Sequence, residues 1–250
     1  MLYITPTPIG NLDDITLRAL KILNKAKIIL CEDPRITAKL LTLLKIENKP
    51  KLINLVNSGK FNYYKIKEAL ETIESISVKT DCELDNSQTK YSCEVNINIE
   101  QDDNVIALVS DAGMPGISDP GFEVIELAQN LNIPYTVLPG ATSSIAALVA
   151  SNMCGREYRF TGFLAIKKGR QSKLKEIQKS SIPVIIFESS HRIHKLIEEL
   201  KEVLEPTRRI TIAQELTKSH ESILIDSIDN ISIQKINPKG EFVVIVEGRK

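Results

Sequence analysis

The densest set of groups able to do chemistry lies in Ser110-Asp111-Ala112-Gly113-Met114-Pro115-Gly116-Ile117-Ser118-Asp119-Pro120-Gly121, directly after the apolar run Val105 to Val109. Its three glycines let backbone amides approach a ligand closely, and Asp111 and Asp119 offer acceptors to amino or hydroxyl groups. A continuous apolar run bounded by turn formers predicts a strand buried on both faces, and ligands of open α/β sheets bind at the carboxyl ends of such strands. The plain alternative is an ordinary strand-to-helix turn, although such a turn rarely needs so many special residues. Two more polar segments follow apolar runs in the same way: Glu32-Asp33-Pro34-Arg35, and Pro139-Gly140-Ala141-Thr142-Ser143.

The elements that must position these loops alternate between strand and helix. Strands are predicted over Tyr3 to Thr5, Ala26 to Cys31, Lys51 to Val56, Val105 to Val109 and Tyr135 to Leu138. Between them, helices are predicted over Asp14 to Asn24, with Asp13 or Asp14 near the cap, and over Ile36 to Leu44, Tyr63 to Ser75, Glu123 to Leu131 and Ser143 to Ala150. Later strands are predicted at Val184 to Phe187, Ile210 to Ala213 and Phe242 to Val246, with a helix over Arg192 to Leu204. The fold class is therefore α/β. Two domains are expected, 1–116 and 117–250. The polar, aperiodic residues 77–104 read as a surface insertion, in which the alternation of Val95, Ile97 and Ile99 would suit an edge hairpin.

With 250 residues and 42% hydrophobic content the chain can bury a substantial core. The start Met1-Leu2-Tyr3-Ile4 has no basic leader or apolar signal run, which points to the cytoplasm. Cys31, Cys82, Cys93 and Cys154 are scattered without paired spacing, so neither a zinc site nor a disulfide framework is indicated. A formal net charge of zero removes any global attraction to nucleic acid, so an RNA partner would need a local basic patch. Triphosphate and hydride chemistry are disfavoured, since no GxxxxGK[ST] loop exists and no GxGxxG follows the first strand.

What remains is an ordered series of motifs. It comprises Pro6-Thr7-Pro8-Ile9-Gly10-Asn11-Leu12, Glu32-Asp33-Pro34-Arg35, the Ser110 to Gly121 loop, Leu138-Pro139-Gly140-Ala141-Thr142-Ser143 and Gly162-Phe163-Leu164. Phe187-Glu188-Ser189-Ser190-His191-Arg192, Glu215-Leu216-Thr217-Lys218 and Lys239-Gly240-Glu241 complete it. Over nearly its whole length the chain resembles the tetrapyrrole methylase superfamily, in the branch that acts on ribosomal RNA. The Pro-Ile-Gly-Asn-Leu opening separates that branch from the corrin and porphyrin methylases. The chain departs from the branch at Pro34, Met114 and Ser190, and at Leu55 to Lys60, where a His-rich stretch is usual.

The resemblance implies a two-domain tetrapyrrole-methylase-like fold with a cofactor cleft between the domains, S-adenosylmethionine as cofactor, and a homodimer. It implies 2′-O-methylation of a cytidine ribose in the decoding region of 16S rRNA within the small ribosomal subunit. It places Asp111, Ala112, Gly113, Met114 and Pro115 at the methionine end of the cofactor, with Thr142 and Ser143 beside them. Phe187, Leu216, Thr217 and the turn at Gly240 would surround the adenosine, and Gly10 would shape the cleft floor.

A ribose hydroxyl is a poor nucleophile, so a positioned group is expected to take its proton. Asp33, Asp111, Glu188, His191 and Lys218 all follow predicted strands, and of these Asp33, Glu188 and Lys218 are the catalytic candidates. For each, a cofactor hydrogen bond or a structural cap is an equal alternative, and Asp33 with Arg35 could form a plain ion pair. For RNA, the run Arg156, Arg159, Lys167, Lys168, Arg170, Lys173 and Lys175 is interleaved with Tyr158, Phe160 and Phe163, which could stack on an unpaired base. The competing reading is a solvated helix face with core aromatics. Arg35 and Arg192 could add phosphate contacts to those of Lys167, Lys168 and Arg170. His194 and His220 read as surface residues. Methylation of a small tetrapyrrole, and cofactor or ribosome binding without turnover, stay open as alternatives.

Overall fold

The computed structural model describes residues 1–57, 59–73 and 104–249. The hairpin expected within 94–100, Cys82, Cys93 and nearly all of the expected insertion lie outside the described residues. The chain divides into two compact units, residues 1–7 with 14–140, and residues 8–13 with 141–250.

The first unit is built on parallel strands β1 (Leu2–Ile4), β2 (Ile28–Cys31), β3 (Lys51–Asn54), β6 (Ile106–Val109) and β7 (Tyr135–Val137), in the order β3-β2-β6-β1-β7. A short hairpin, β4 (Val56–Asn57) and β5 (Lys60–Phe61), follows β3. Strand residues alternate between two cores, as period-2 side chains must. Leu2, Ile4, Leu30, Ile53, Ile106 and Leu108 pack with α3 (Tyr63–Glu71) and α4 (Phe122–Asn130). Tyr3, Ile29, Cys31, Ala107 and Val109 pack with α1 (Leu17–Lys25) and α2 (Pro34–Leu43) on the opposite face. Burial pushes the Cys31 thiol up to about 11.

The second unit carries β8 (Arg159–Phe163), β9 (Val184–Ser189), β10 (Arg209–Gln214), β11 (Ser222–Ser227) and β12 (Glu241–Val246), ordered β11-β10-β12-β9-β8. Strands β8 and β9 pair in parallel, and the other three pairings are antiparallel. One face is covered by α6 (Arg170–Lys179) and α7 (Ile193–Val203) through Leu174, Ile177, Leu196, Ile197 and Leu200. The other is covered by α5 (Ser143–Ala150) through Ala147 and Leu148, with Ile9 alongside.

Three expectations are corrected. The division does not fall at 116: β7 pairs with β1 over Tyr135 to Val137, which draws residues up to Gly140 into the first unit. The cap of α1 is Thr16, whose hydroxyl accepts the Ala19 amide at 3.1 Å, because Leu12–Asp14 is taken up by a 3-10 turn. His194 is not a simple surface residue; a ring nitrogen lies 2.9 Å from the Ile236 carbonyl oxygen.

Candidate active site

In the first unit the parallel strands all end at the same edge. From β1 the chain crosses one way, to β2, and from β6 the other way, to β7, so the topological switch point lies between β1 and β6. That is the place where open sheets of this type form a ligand crevice. The sequence builds a closed motif there. Thr7 and Gly113 exchange both backbone hydrogen bonds, at 2.9 and 3.1 Å. The Thr7 hydroxyl donates to the Ser110 carbonyl at 3.1 Å, and the Ser110 hydroxyl donates to the Gly113 carbonyl at 3.2 Å. Gly113 and Gly116, at φ +85° and +83°, supply the left-handed turns this path needs.

The end of β2 joins the same edge through carboxylates. Asp33 caps α2, accepting the Arg35 amide at 2.8 Å, and it pairs with the Arg35 guanidinium at 2.6 Å. Those hydrogen bonds hold the Asp33 carboxyl down to about 2. In this arrangement Asp33 is the α2 cap and the ion-pair partner of Arg35, the structural alternative to a proton-accepting role. The Asp33 amide donates to Asp111 Oδ1 at 3.2 Å. Burial raises the Asp111 pKa, the hydrogen bond from the Asp33 amide opposes it, and the Asp33 charge adds a smaller push upward. Burial and the Asp111 charge likewise raise that of Glu32, whose carboxylate accepts the Asp111 amide. Sequence reasoning missed Glu32, because the neighbouring Asp33 and Arg35 read as the active pair; its place at the last position before the α2 cap was the available signal.

In the second unit Gly10, Leu216, Thr217, Lys218 and Gly240 come together. The Asn11 amide donates to the Thr217 hydroxyl at 3.1 Å, and the Thr217 amide donates to Glu221 Oε2 at 2.7 Å. Glu215 and Thr217 both adopt left-handed backbone, at φ 51° and 66°. Non-glycine residues held there are uncommon and concentrate at functional sites. Glycine is required on both sides of this turn. A Cβ on Gly10 would meet the Lys218 side chain, lie 2.9 Å from Thr217 Oγ1 and 3.0 Å from the Leu216 carbonyl oxygen, while one on Gly240 would strike the Glu215 carboxylate. Gly240→Ala, with φ +87° as well, is expected to cost about 1–3 kcal/mol. Urea denaturation measures it, and unchanged stability would show that the turn yields freely.

Lys218 donates to Glu215 Oε1 at 2.8 Å and Glu241 Oε2 at 3.1 Å. Burial works against its charge, but the two carboxylates outweigh it and raise the pKa. Lys218 is thereby corrected as a base, since it stays an ammonium. Thr142 precedes α5 with its hydroxyl 3.0 Å from that of Ser144, and Ser143 opens the helix. Phe187 is part-buried, its ring edge-on to Phe160 at 5.0 Å and Phe163 at 5.6 Å.

Glu188 and Arg170 are corrected as well. Glu188 is 1% exposed, and its Oε1 lies 2.8 Å from Arg192 while Oε2 lies 3.5 Å from Arg170, so it has no opening to a substrate proton. Arg170 is 4% exposed and pairs with Glu199 at 2.6 Å, which removes it from any RNA-facing surface. Arg192 is mostly engaged inward. Lys167 and Lys168 are exposed, as are Tyr158 and Phe163, whereas Phe160 packs against the core. His191 and His220 are exposed.

Residues 1–232 match the family described as Tetrapyrrole (Corrin/Porphyrin) Methylases. The chain is 38% identical to the Ribosomal RNA small subunit methyltransferase I of Hydrogenobaculum sp. (strain Y04AAS1), over 98% of this chain and 94% of that protein. It is 35% identical to the protein of the same name from Campylobacter fetus subsp. fetus (strain 82-40), over 99% and 83%. Among solved structures, a cobalt precorrin-4 methyltransferase aligns with a TM-score of 0.64 at 16% identity, covering 98% of this chain and 94% of that one. The uroporphyrin-III C-methyltransferase from Thermus thermophilus complexed with S-adenosyl homocysteine aligns with 0.58 at 15%, covering 98% and 96%. At those identities the likeness is one of fold.

Proposed function

Because the chain belongs to the tetrapyrrole methylase family, we propose that it transfers a methyl group from S-adenosylmethionine to the 2′-oxygen of a cytidine in the decoding region of 16S rRNA, on the small ribosomal subunit. The reading is carried by the 38% identity, along almost the whole chain, to a relative named for the small-subunit RNA. Among the described residues no helix is long and apolar enough to cross a membrane. We place the protein in the cytoplasm, where ribosomal subunits are, and as a homodimer.

The residues fit such a cofactor. The switch-point loop offers a carboxylate, Asp111, to an ammonium, and the missing Cβ atoms at Gly10 and Gly240 let the Glu215–Lys218 turn pack closely between them. We assign the methionine end to Asp111, Ala112, Gly113, Met114 and Pro115 with Thr142 and Ser143, and the adenosine to Phe187, Leu216, Thr217, Gly240 and Gly10. When bound, the cofactor supplies an electrophilic methyl on a sulfonium. The chain's own residues must hold the acceptor oxygen close and aligned, and must take its proton. Glu32 is our candidate to take that proton: it lies at the carboxyl end of β2 beside Asp111, and burial with the Asp111 charge raises its pKa.

For the RNA, Lys167 and Lys168 supply phosphate contacts and the exposed Phe163 ring a stacking face. Arg35, with its side chain 90% exposed, exchanges Asp33 for a phosphate at little cost. Lys167→Glu with Lys168→Glu is expected to weaken binding to small subunits at least tenfold and to reduce the salt slope by roughly 1–2 units, leaving S-adenosylmethionine affinity unchanged. Unchanged RNA binding would remove these lysines from the interface. The function itself is tested by offering labelled S-adenosylmethionine with undermethylated small subunits or with uroporphyrinogen. Label in the RNA supports the proposal; label in the tetrapyrrole, or cofactor binding with label in neither, overturns it.

A further inference from the structure

Two arginines in the second unit meet one wholly buried carboxylate and then reach the same short piece of backbone. Arg170 lies at the amino end of α6, and Arg192 just before α7. Glu188, near the end of β9, takes Arg192 on Oε1 at 2.8 Å and Arg170 on Oε2 at 3.5 Å. From there Arg192 Nη1 donates to the Leu164 carbonyl at 3.3 Å, and Arg170 Nη1 donates to the Ala165 carbonyl at 3.2 Å. Two consecutive carbonyls, just beyond the edge strand β8, are therefore held by guanidinium groups that share a carboxylate. Glu199 of α7 completes the set, accepting from Arg170 Nε at 2.8 and 3.1 Å, and the Ser189 hydroxyl accepts from Arg192 Nε at 3.2 Å.

Burying charges in this way is costly, and apolar residues of equal volume often serve stability as well or better. The arrangement is better explained by what it fixes. Leu164 is buried, but Ala165, Ile166, Lys167, Lys168 and Gly169 are exposed, with Ile166 69% and Phe163 53% accessible. A loop anchored only by Leu164 would lose much of its order to conformational entropy, and a flexible loop binds a polyanion more weakly because it must be ordered on binding. The carbonyl contacts remove that cost beforehand.

We propose that Glu188, by gathering Arg170 and Arg192 beneath the Phe163–Gly169 segment, is a positioning residue for ribosomal RNA docking: it holds Phe163 and the Lys167–Lys168 pair in their binding arrangement. This rests on the reading that the substrate is small-subunit RNA. Glu188 and Arg170 are both too buried to touch RNA, so any effect of replacing them on RNA affinity acts through the loop.

The experiment uses the full-length protein, undermethylated small subunits, and labelled S-adenosylmethionine. Glu188→Gln keeps the shape and removes the charge; Arg170→Lys keeps the charge and removes the fork that spans Glu188, Glu199 and Ala165. Each variant is expected to speed amide hydrogen exchange across residues 163–169. Each is expected to raise KM for subunits at least fivefold, leaving KM for S-adenosylmethionine within twofold. A merely structural role would lower the folded fraction, and with it the apparent kcat, at unchanged KM for subunits; that result overturns the proposal. Should Glu188→Gln fail to fold, Arg170→Lys decides alone. Failure of the underlying reading looks different, since the unmodified protein would then leave the subunits unlabelled.

Discussion

Replacing Glu188 with alanine is expected to cost about 3–5 kcal/mol of stability, the range found when one partner of a buried ion pair is removed. The carboxylate is 1% exposed and faces two guanidinium groups. Its loss leaves Arg170, itself 4% exposed, with Glu199 as its carboxylate partner, and strips Arg192 of the carboxylate it pairs with. Burial opposes the Arg170 charge, and it is the hydrogen bonds and charges of Glu199 and Glu188 that raise its pKa nonetheless. Urea unfolding gives the number, and a loss below about 1 kcal/mol would mean that water or a local shift solvates the freed arginines. The Lys173–Glu176 pair, 2.7 Å apart but with both side chains at least 40% exposed, is the control: Glu176→Gln should leave the transition unchanged.

Asp111→Asn is expected to strengthen the folded state while weakening cofactor binding about 10–100-fold, the usual worth of a hydrogen bond to a charged group. The stability change follows from the direction of the pKa shift. A carboxyl whose pKa is raised on folding binds its proton more tightly in the native state. Its contribution is fully present below the unfolded pKa and is lost as pH rises through the folded value. At neutral pH the ionised Asp111 therefore opposes folding, and asparagine removes that charge while its oxygen still accepts the Asp33 amide. The same substitution removes one of the charges raising the Glu32 pKa, so the acid limb of turnover should move to lower pH. Thermal unfolding without ligand, calorimetry with S-adenosylmethionine, and a pH–rate profile check the three parts. A lower melting temperature would show that the carboxylate serves structure first.

The first unit was legible because its signals are local. Val105 to Val109 is apolar throughout and supplies a central parallel strand, Ile106–Val109, and Ser143 to Ala150 in the second unit is a helix over those same residues. What escaped depended on partners distant in sequence. Strand β8 begins with Arg159 and carries Gly162 at φ +61°, a weak strand signal that is realised only by pairing with β9. Strand β11 is half exposed and pairs with β10 at the edge of its sheet. Arg170 sits among lysines and reads as one more solvated cation, because nothing near it in sequence announces that Glu188 and Glu199 will fold onto it. Glu215 has no unusual sequence signature either; its left-handed backbone becomes meaningful only beside Gly240. The switch-point loop was recognised from glycine and aspartate content, but the Thr7–Gly113 exchange that closes it joins residues far apart in the chain and belongs to the fold.

Methyl transfer to a ribose oxygen of small-subunit RNA is tested most directly by the position of the methyl. Small subunits lacking the modification would be incubated with the protein and methyl-labelled S-adenosylmethionine, and the recovered 16S rRNA hydrolysed with alkali. A 2′-O-methyl group blocks cleavage at its own nucleotide, so the label is predicted in alkali-resistant dinucleotides with a methylated cytidine on the 5′ side. Label released in mononucleotides would place the methyl on a base, and unlabelled RNA from a cofactor-loaded protein would mean that this substrate is wrong; either result contradicts the claim.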